Sequence, residues 1–451
     1  MEQNLTTGSV FKNVVRFSLP YLLSYFLQTL YGMADLFIVG QFEGVVATTA
    51  VSVGSQVMHM ITVMLVGLAM GATVSIGRAV GAGEKREASR CIGNTVTLFM
   101  AIAVVLAVLL LFLRRPIVSV MSTPEEAVEG TVRYLTICFI GIPFITAYNI
   151  ISSIFRGLGD SKSPMYFVAA ACAANIALDY LFMGALHMGP AGAALGTTLA
   201  QAFSVCIALI AIRRHKAGIA LTRADLRLQR ETYRPVLRVG LPVAAQDGFI
   251  QIAFLIITII ANRRGLTDAA AVGIVEKIIT FLFLVPSSML STVSALGAQN
   301  IGAGKYERVR QTLRYAILIA AGFGLIVGVV VQFAAQPVVG LFTSDEAVTV
   351  AGAAYFRGYV WDCMFAGIHF SFSGYFCAYG RSELSFLQNI ISVVVGRVPG
   401  SYLTSKLFPN TLLPMGIATA LSSLFSVVLC VIFYCVCFRG KEKTGEEQPT
   451  V

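Results

Sequence analysis

Residues 16–20 read Arg-Phe-Ser-Leu-Pro, and residues 238–242 read Arg-Val-Gly-Leu-Pro. The same offset of 221 to 222 residues relates Gly81-Ala82-Gly83 to Gly302-Ala303-Gly304. An offset that stays nearly constant over so much of the chain indicates an internal duplication. The chain is therefore expected to consist of two copies of one structural unit, and such duplicated bundles are typical of proteins that move solutes across a bilayer.

Apolar residues dominate the composition. Of the 451 residues, 57% are hydrophobic and only 12% are charged, which is too little charge for the surface of a soluble domain. Twelve apolar stretches, six in each copy, are long enough to cross about 30 Å of hydrocarbon. The sequence predicts an all-α integral membrane protein whose twelve transmembrane helices form two six-helix lobes related by pseudo-twofold symmetry.

The polar segments divide the predicted protein into four parts. These are an N-lobe (1–212), a cytoplasmic basic linker (213–238), a C-lobe (239–438) and a disordered cytoplasmic tail (439–451). Within the linker, Leu221, Leu226 and Leu228 are spaced as in a short amphipathic helix that would lie on the inner leaflet. Glycines 81, 83, 302 and 304 are expected to form tight turns between long helices.

The formal charge of +10 is explained by membrane topology rather than by nucleic acid. About three quarters of the 33 basic residues fall on one side of the predicted spans, which is the positive-inside pattern. Both termini are therefore expected in the cytoplasm of a multi-pass cell-membrane protein. The nine cysteines lie in or beside apolar stretches without a CxxC pair, and they are interpreted as packing residues. No cofactor is expected.

Two acidic residues of the first half lie inside apolar spans. Charges within the membrane are costly, so Asp35 and Asp179 are candidates for function. Their counterparts at the repeat offset, Ile257 and Gly400, carry no charge. A structural polar network between helices is the alternative explanation.

Several polar residues are predicted to lie near these acids. Gln28 and Tyr31 share a helix face with Asp35, and Asn175 shares one with Asp179. Thr197, on the sixth span, lies at a similar depth. Three spans would thus offer carboxylate, amide and hydroxyl oxygens, which suit Na⁺, and no other metal is expected. The same carboxylates in an apolar pocket would also hold H⁺, so both ions remain open.

Other residues have more than one interpretation. Pro20 removes a hydrogen bond from the first span and permits bending, although a fixed kink or a helix start explains it as well. In the second half, Arg397 is expected to pair with Asp247 or Asp362 and to hold the lobe together. Glu276 is expected to face a cavity, with Lys277 pointing elsewhere.

One enzyme motif requires consideration. Gly157-Leu158-Gly159-Asp160 fits the GxGD pattern of intramembrane aspartyl proteases. Asp160 lies in a polar inner loop and its repeat counterpart is Arg381, so the second facing carboxylate is missing. The sequence therefore argues against an enzyme.

The ordered motifs resemble those of the multidrug and toxic compound extrusion (MATE) transporters. They are Phe17-Ser18-Leu19-Pro20, Asp35-Leu36-Phe37-Ile38-Val39-Gly40, Gly81-Ala82-Gly83, Arg156 to Lys162, Asn175 to Asp179, and Gly192 to Thr197. The first lobe is similar to the DNA-damage-inducible-type branch of prokaryotic members. The resemblance implies an N-lobe ion site at Asp35, Asn175 and Asp179, with Tyr31 and Thr197 at compatible spacing and Pro20 in a bending position.

The resemblance also implies secondary active antiport. H⁺ or Na⁺ would enter in exchange for organic, mostly cationic, compounds, exported by a monomer in the bilayer. A substrate cavity is expected to include Gln28, Tyr148, Phe155 and Glu276. The alternative is a lipid-linked oligosaccharide flippase of the same superfamily, whose anionic cargo would suit Arg397.

Overall fold

The structure is a computed structural model that describes residues 5–214 and 221–438. Every regular element in these ranges is helical, so the prediction of an all-α protein is confirmed. The predicted tail 439–451 lies outside the described residues, as does the segment 215–220 of the predicted linker.

The helices occur in the same general order in both halves. The first half contains α1 (Val10–Phe42), α2 (Val45–Gly81), α3 (Lys85–Val120), α4 (Glu125–Ile140), α5 (Ile142–Gly157), α6 (Lys162–Asp179) and α7 (Pro190–Arg214). The second half contains α8 (Arg230–Asn262), α9 (Leu266–Leu282), α10 (Leu284–Gly302), α11 (Tyr306–Gly340), α12 (Glu346–Tyr359), α13 (Trp361–Ala378), α14 (Ser382–Ile391), α15 (Val398–Leu407) and α16 (Leu413–Cys437). A π-helical segment, Tyr180–Ala185, extends α6, and another, Ser392–Arg397, joins α14 to α15.

The twelve predicted spans correspond to these helices. Within the described residues, nine helical segments are long and apolar enough to cross a membrane, and α4 with α5, bent by 48°, adds a tenth. The two remaining predicted spans coincide with α12–α13 and with the run from α14 to α15. Side chains such as Phe112 and Phe333, which are 78% and 83% exposed, give the helices apolar outer faces suited to lipid.

Two compact units make up the fold. Each unit consists mainly of one half of the sequence and also contains the beginning of one long helix from the other half. The first unit is built around Leu19–Gly240, and the second combines Thr6–Ser18 with the chain from Leu241 onward. Helix α1 therefore passes from the second unit to the first just before Pro20. Helix α8 passes from the first unit to the second just before Pro242.

The first unit packs closely because glycines allow its helices to approach. Gly71 on α2 faces the backbone of Val236 and Gly240 so closely that a β-carbon would overlap it. Where α2 meets α5, the Thr73 hydroxyl donates a 3.2 Å hydrogen bond to the carbonyl of Ser153. The apolar core of this unit includes Val51, Leu135, Phe139, Ile142 and Ala193.

The second unit has its own core and its own anchor for the start of α1. Its core includes Val272, Val275, Tyr355 and Phe356. Lys305 Nζ donates a 2.8 Å hydrogen bond to the carbonyl of Thr6. The ring of Phe11 lies edge-on to that of Tyr315, with centroids 5.5 Å apart.

The repeated glycine motif forms the expected tight turns. Gly83 follows α2 with φ +77°, and Gly304 follows α10 with φ +70°. Side chains rarely adopt this left-handed conformation, whereas glycine adopts it freely. The same residue type at the same place in each half therefore ends a long helix and reverses the chain.

The linker departs from the prediction of an amphipathic helix. Residues 221–229 form turns, and the helix that follows is the beginning of α8. The buried side chain of Asn94 fixes these turns: its amide donates to the carbonyls of Asp225 and Arg227, each at 3.1 Å, and its oxygen accepts from the amide of Gln229 at 2.7 Å. Bonds from a neighbouring helix outweigh the local leucine spacing.

Candidate functional site

Three helices of the first unit bring the predicted ion ligands together. Thr197 Oγ1 on α7 lies 3.2 Å from Asp35 Oδ2 on α1. Asn175 Nδ2 donates a 3.4 Å hydrogen bond to Asp179 Oδ2 one turn further along α6. The side chains of Asn175 and Asp179 also lie close to Asp35. The residues that the sequence singled out as ion ligands therefore occupy one place in the fold.

The cluster is buried and its hydrogen bonding is incomplete. Asp35 is 4% exposed, Asn175 1% and Asp179 0%. Each of these three side chains keeps one oxygen, Oδ1, without a hydrogen-bond partner. Two carboxylates in so dry a place repel each other and lose hydration, which favours a bound proton or a bound cation.

The Thr197 hydroxyl has a choice of acceptors. It lies 3.2 Å from Asp35 and 3.1 Å from the backbone carbonyl of Ala193. A hydroxyl has one proton to donate and lone pairs to accept with. It can donate to an ionised Asp35, or accept from a protonated Asp35 while donating to Ala193, so it serves either state of the carboxyl.

Asp179 is the last residue of α6, and the π-helical segment begins at the next residue, Tyr180. Such segments often mark functional sites. On α7, Gly196 presents bare backbone to Asp179, and a β-carbon there would overlap Asp179 Oδ1. Gly196 lies within the Gly192 to Thr197 motif, but nothing in the sequence marks it as a contact of Asp179.

Tyr31 and Gln28 extend the site along α1. Tyr31 is half-buried and close to Asp35 and to Gln201, a residue that the sequence did not single out. Gln28 is half-buried near the hydroxyl of Tyr148. A polar track therefore runs from the acids along one face of α1.

The other predicted cavity residues fall into two places. Phe155 packs edge-on against Phe167, with ring centroids 5.5 Å apart, in the same apolar cluster as Tyr148. Glu276 belongs to the second unit, where its Oε2 accepts a 3.3 Å hydrogen bond from Thr258. Lys277 is exposed while Glu276 is half-buried, as their adjacent positions on α9 predict.

The charged residues of the second unit form a separate cluster. Arg397 pairs with the fully buried Asp362, which confirms one of its two predicted partners. Its guanidinium lies 5.5 Å from the ring centroid of Phe254 and 5.9 Å from that of Tyr359. A cavity of about 40 Å³ beside Arg397, also lined by His369, has room for water and not for a drug-sized compound.

Pro20 and Asp160 have clear local surroundings. Pro20 is buried inside α1, which is helical on both sides of it, and its carbonyl accepts a 2.8 Å hydrogen bond from Ser24. The helix-start interpretation of Pro20 is therefore wrong. Asp160 caps the start of α6, accepting from the amides of Lys162 and Ser163 at 2.9 and 3.1 Å. This local bonding accounts for the aspartate of the GxGD motif.

The duplicated fold with an acidic cluster in its first unit defines a class of membrane transporter. The MatE family model matches residues 20–181 and again residues 242–403, so the chain belongs to the MATE family. Members of this family are transporters and not enzymes.

Individual relatives resemble the chain over nearly its whole length. The "probable multidrug resistance protein YpnP" of Bacillus subtilis is 27% identical, over 96% of each chain. A protein of Shewanella oneidensis named "FAD transporter" is 25% identical, over 92% of this chain and 94% of its own. A structure described as the outward-facing conformation of a multidrug resistance MATE family transporter superposes with a TM-score of 0.92 at 23% identity, covering 98% of this chain and 99% of its own.

Proposed function

We propose that this protein is a secondary active multidrug exporter that exchanges organic, mostly cationic compounds for H⁺ or Na⁺. One observation carries the proposal: buried Asp35 and Asp179 lie together in the first unit with carboxylate oxygens that lack partners. The names of relatives such as YpnP support the class of substrate. We further propose that the protein is a monomer in the cell membrane with both termini in the cytoplasm.

The coupling ion and the exported compound would compete for the negative charge of Asp35 and Asp179, and this competition would couple ion entry to export. With a proton or Na⁺ bound, the pair is close to neutral and compatible with its dry surroundings. When that ion leaves, the exposed negative charge attracts a cationic compound. An ion that binds one arrangement of the protein more tightly shifts the population toward it, and the exported compound shifts it back. Pro20, within α1, would permit the helix to bend between these arrangements.

The aromatic and polar residues near the acids would receive the compound. Tyr31 and Tyr148 offer ring faces and hydroxyls, and Gln28 offers an amide between them. Flat or cationic compounds bind such faces by stacking and by cation–π attraction. Glu276 would contribute a second acid to the substrate path. This permissive surface is typical of sites that accept many ligands.

The flippase alternative loses its main support in this structure. It depended on Arg397 as a free positive charge for an anionic lipid, and Arg397 is paired with Asp362. One relative carries the name FAD transporter, so members of the family do not all share one cargo. The proposal for this chain accordingly depends on its own acids.

Ethidium efflux from proteoliposomes tests the proposal. We expect efflux driven by an imposed H⁺ or Na⁺ gradient, and the effective gradient identifies the ion. Asp35→Asn should abolish it, whereas Glu126→Gln, which alters an exposed acid of the same half, should not. Gradient-driven efflux that persists in correctly folded Asp35→Asn and Asp179→Asn proteins would contradict coupling at these acids.

A further inference from the structure

One face of α5 carries three buried hydrogen-bond donors, and the proposed exchange uses only the first of them, Tyr148. Tyr148, Ser152 and Arg156 follow one another at intervals of four residues, so they share one face over about 12 Å. Their exposed fractions are 4%, 1% and 8%. All three lie in the first unit, with Tyr21 and Tyr25 of α1 close to Arg156.

Arg156 is an unusual buried charge. Its guanidinium forms neither a hydrogen bond nor an ion pair with any of the described residues, although it has five N–H groups to donate. It lies over the ring of Tyr21, with its central carbon 4.2 Å from the ring centroid. The groups that act on it electrostatically are Tyr21, Tyr25 and Tyr148, and no carboxylate is among them. Cation–π attraction offsets only part of the cost of burying such a charge.

The two hydroxyls above Arg156 are also unsatisfied. Tyr148 Oη and Ser152 Oγ are buried, and within the described chain neither has a hydrogen-bond partner at ordinary length. Ser152 and Gln28 both approach the Tyr148 hydroxyl at longer range. Buried polar groups are normally paired at ordinary length, and the guanidinium of Arg156 has no acceptor among the described residues, so an acceptor from elsewhere would complete this group.

We propose that Tyr148, Ser152 and Arg156, with the ring of Tyr21 beneath the guanidinium, form an anion subsite for the carboxylate or phosphate group of a transported compound. The inference rests on the proposed export function and adds acidic and zwitterionic compounds to its substrates. A planar guanidinium binds carboxylate and phosphate through paired charge-assisted hydrogen bonds. Tyr21 and Tyr25 would pack against the aromatic body that carries the anion.

The subsite and the ion site lie at different levels of the same unit. Tyr21 and Asp35 are separated by fourteen residues of α1, which corresponds to about 21 Å. A zwitterion bound with its acid at Arg156 would extend its amine toward the acidic end of this track. Compounds with only a positive charge would use the track without the subsite.

Two dyes that differ in one carboxylate measure the contribution of the anion to binding. Rhodamine B carries a carboxylate at neutral pH, and its methyl ester does not. Binding of both to the purified full-length protein in detergent is measured by fluorescence polarisation. We expect Arg156→Gln to raise the ratio of the acid's Kd to the ester's by about tenfold or more, because a buried charge-assisted hydrogen bond is lost. Ser152→Ala and Tyr148→Phe should raise the ratio by about threefold, and Arg156→Lys should partly restore it.

The controls separate the anion subsite from folding and from lipid. Arg115→Gln changes an arginine whose side chain is 70% exposed, and it should leave the ratio as in the wild type. An unchanged ratio in all of the α5 variants that elute as monodisperse protein overturns the subsite.

Nanodiscs with and without phosphatidylglycerol test whether lipid occupies the subsite. If that lipid displaces the acid from wild type and not from Arg156→Gln, the site binds lipid phosphate, and the transported compound is overturned as its ligand. Gradient-driven efflux of the ester tests the export function separately.

Discussion

A β-carbon on Gly196 would overlap the Oδ1 atom of Asp179. The glycine is therefore part of the ion site, since it allows α7 to approach the last residue of α6. This contact and the hydroxyl of the next residue, Thr197, tie both ends of the acidic pair to a single turn of α7.

Gly196→Ala should impair coupling. The added methyl group displaces Asp179 or separates α6 from α7, and such overpacking costs about 1–3 kcal/mol. We expect gradient-driven efflux to fall at least about tenfold, as in a misplaced binding group. Gly32→Ala is the matched control, because a β-carbon at Gly32 meets no atom within 4 Å. Equal efflux by the two variants would contradict the role given to Gly196.

Thr197→Val should shift coupling in a direction that depends on the ion. The change keeps the shape and removes the hydroxyl that serves Asp35, which costs about 1–3 kcal/mol when a buried charged group loses its partner. The Na⁺ concentration that gives half-maximal efflux should rise by about tenfold or more because a ligand oxygen is lost, whereas the H⁺ concentration should fall because the ionised Asp35 loses a donor. Thr197→Ser retains the hydroxyl and should stay close to wild type. A similar shift in both variants would point to packing as the cause.

Asp35→Asn and Asp179→Asn should not have additive effects. The two acids act as one site, and residues in direct contact show strong coupling in double-mutant cycles. Each single variant should abolish ion-driven efflux, and the double variant should be no worse. The double variant should also be more thermally stable than wild type at neutral pH, because it lacks the repulsion between buried charges. Additive residual activities would show two independent sites.

Removal of one partner of the Arg397–Asp362 pair should destabilise the second unit, whereas removal of both partners should not. Arg397→Met leaves Asp362 as an uncompensated buried charge, which typically costs about 3–5 kcal/mol. The double variant with Asp362→Leu should recover most of the thermal stability measured in detergent, since apolar residues replace a buried pair at little cost. Failure of the double variant to recover would show a role for Arg397 beyond this pair.

The turn around Asp225 in the linker should lose stability at acidic pH. Hydrogen bonds from the Thr222 hydroxyl and amide hold the pKa of Asp225 below its ordinary value of 3.8, and Arg86 lies 3.6 Å away. A lowered pKa in the folded state stabilises the turn above pH about 4, and that contribution disappears as the pH falls through the folded pKa. Proteolysis of the linker should increase below pH about 4 in wild type, and Asp225→Asn should remove that dependence. A wild-type profile identical to that of the variant would contradict this account.

The sequence predicted the large-scale fold well because apolar length and repetition are strong signals. Twelve spans followed from hydrocarbon thickness, and the turns at Gly83 and Gly304 followed from the repeated glycines. The local winding did not follow: nothing in the residue pattern indicates that Tyr180–Ala185 would be π-helical or that α4 and α5 would meet at 48°. These features come from packing between helices.

The acidic residues of the candidate site could be predicted from the sequence. Asp35 and Asp179 stand out because membrane spans rarely contain acids. Arg156 follows an apolar span in the sequence, and sequence alone does not show that its side chain is buried over Tyr21. Gly196 and Ser152 are small residues of common types, and only their contacts reveal their importance. The leucines of the linker predicted a helix that the bonds from Asn94 prevent.

The exchange of helix ends between the units has a consequence for biosynthesis. Thr6 leaves the ribosome well before Lys305, which is 299 residues later and donates a hydrogen bond to its carbonyl. The first unit, for its part, is incomplete until Gly240 has been made. Neither unit can finish folding as its own stretch of the chain is inserted. A gene cut at the linker would yield two fragments that each lack a piece of their own unit, so they should accumulate stably only when both are produced in the same cell.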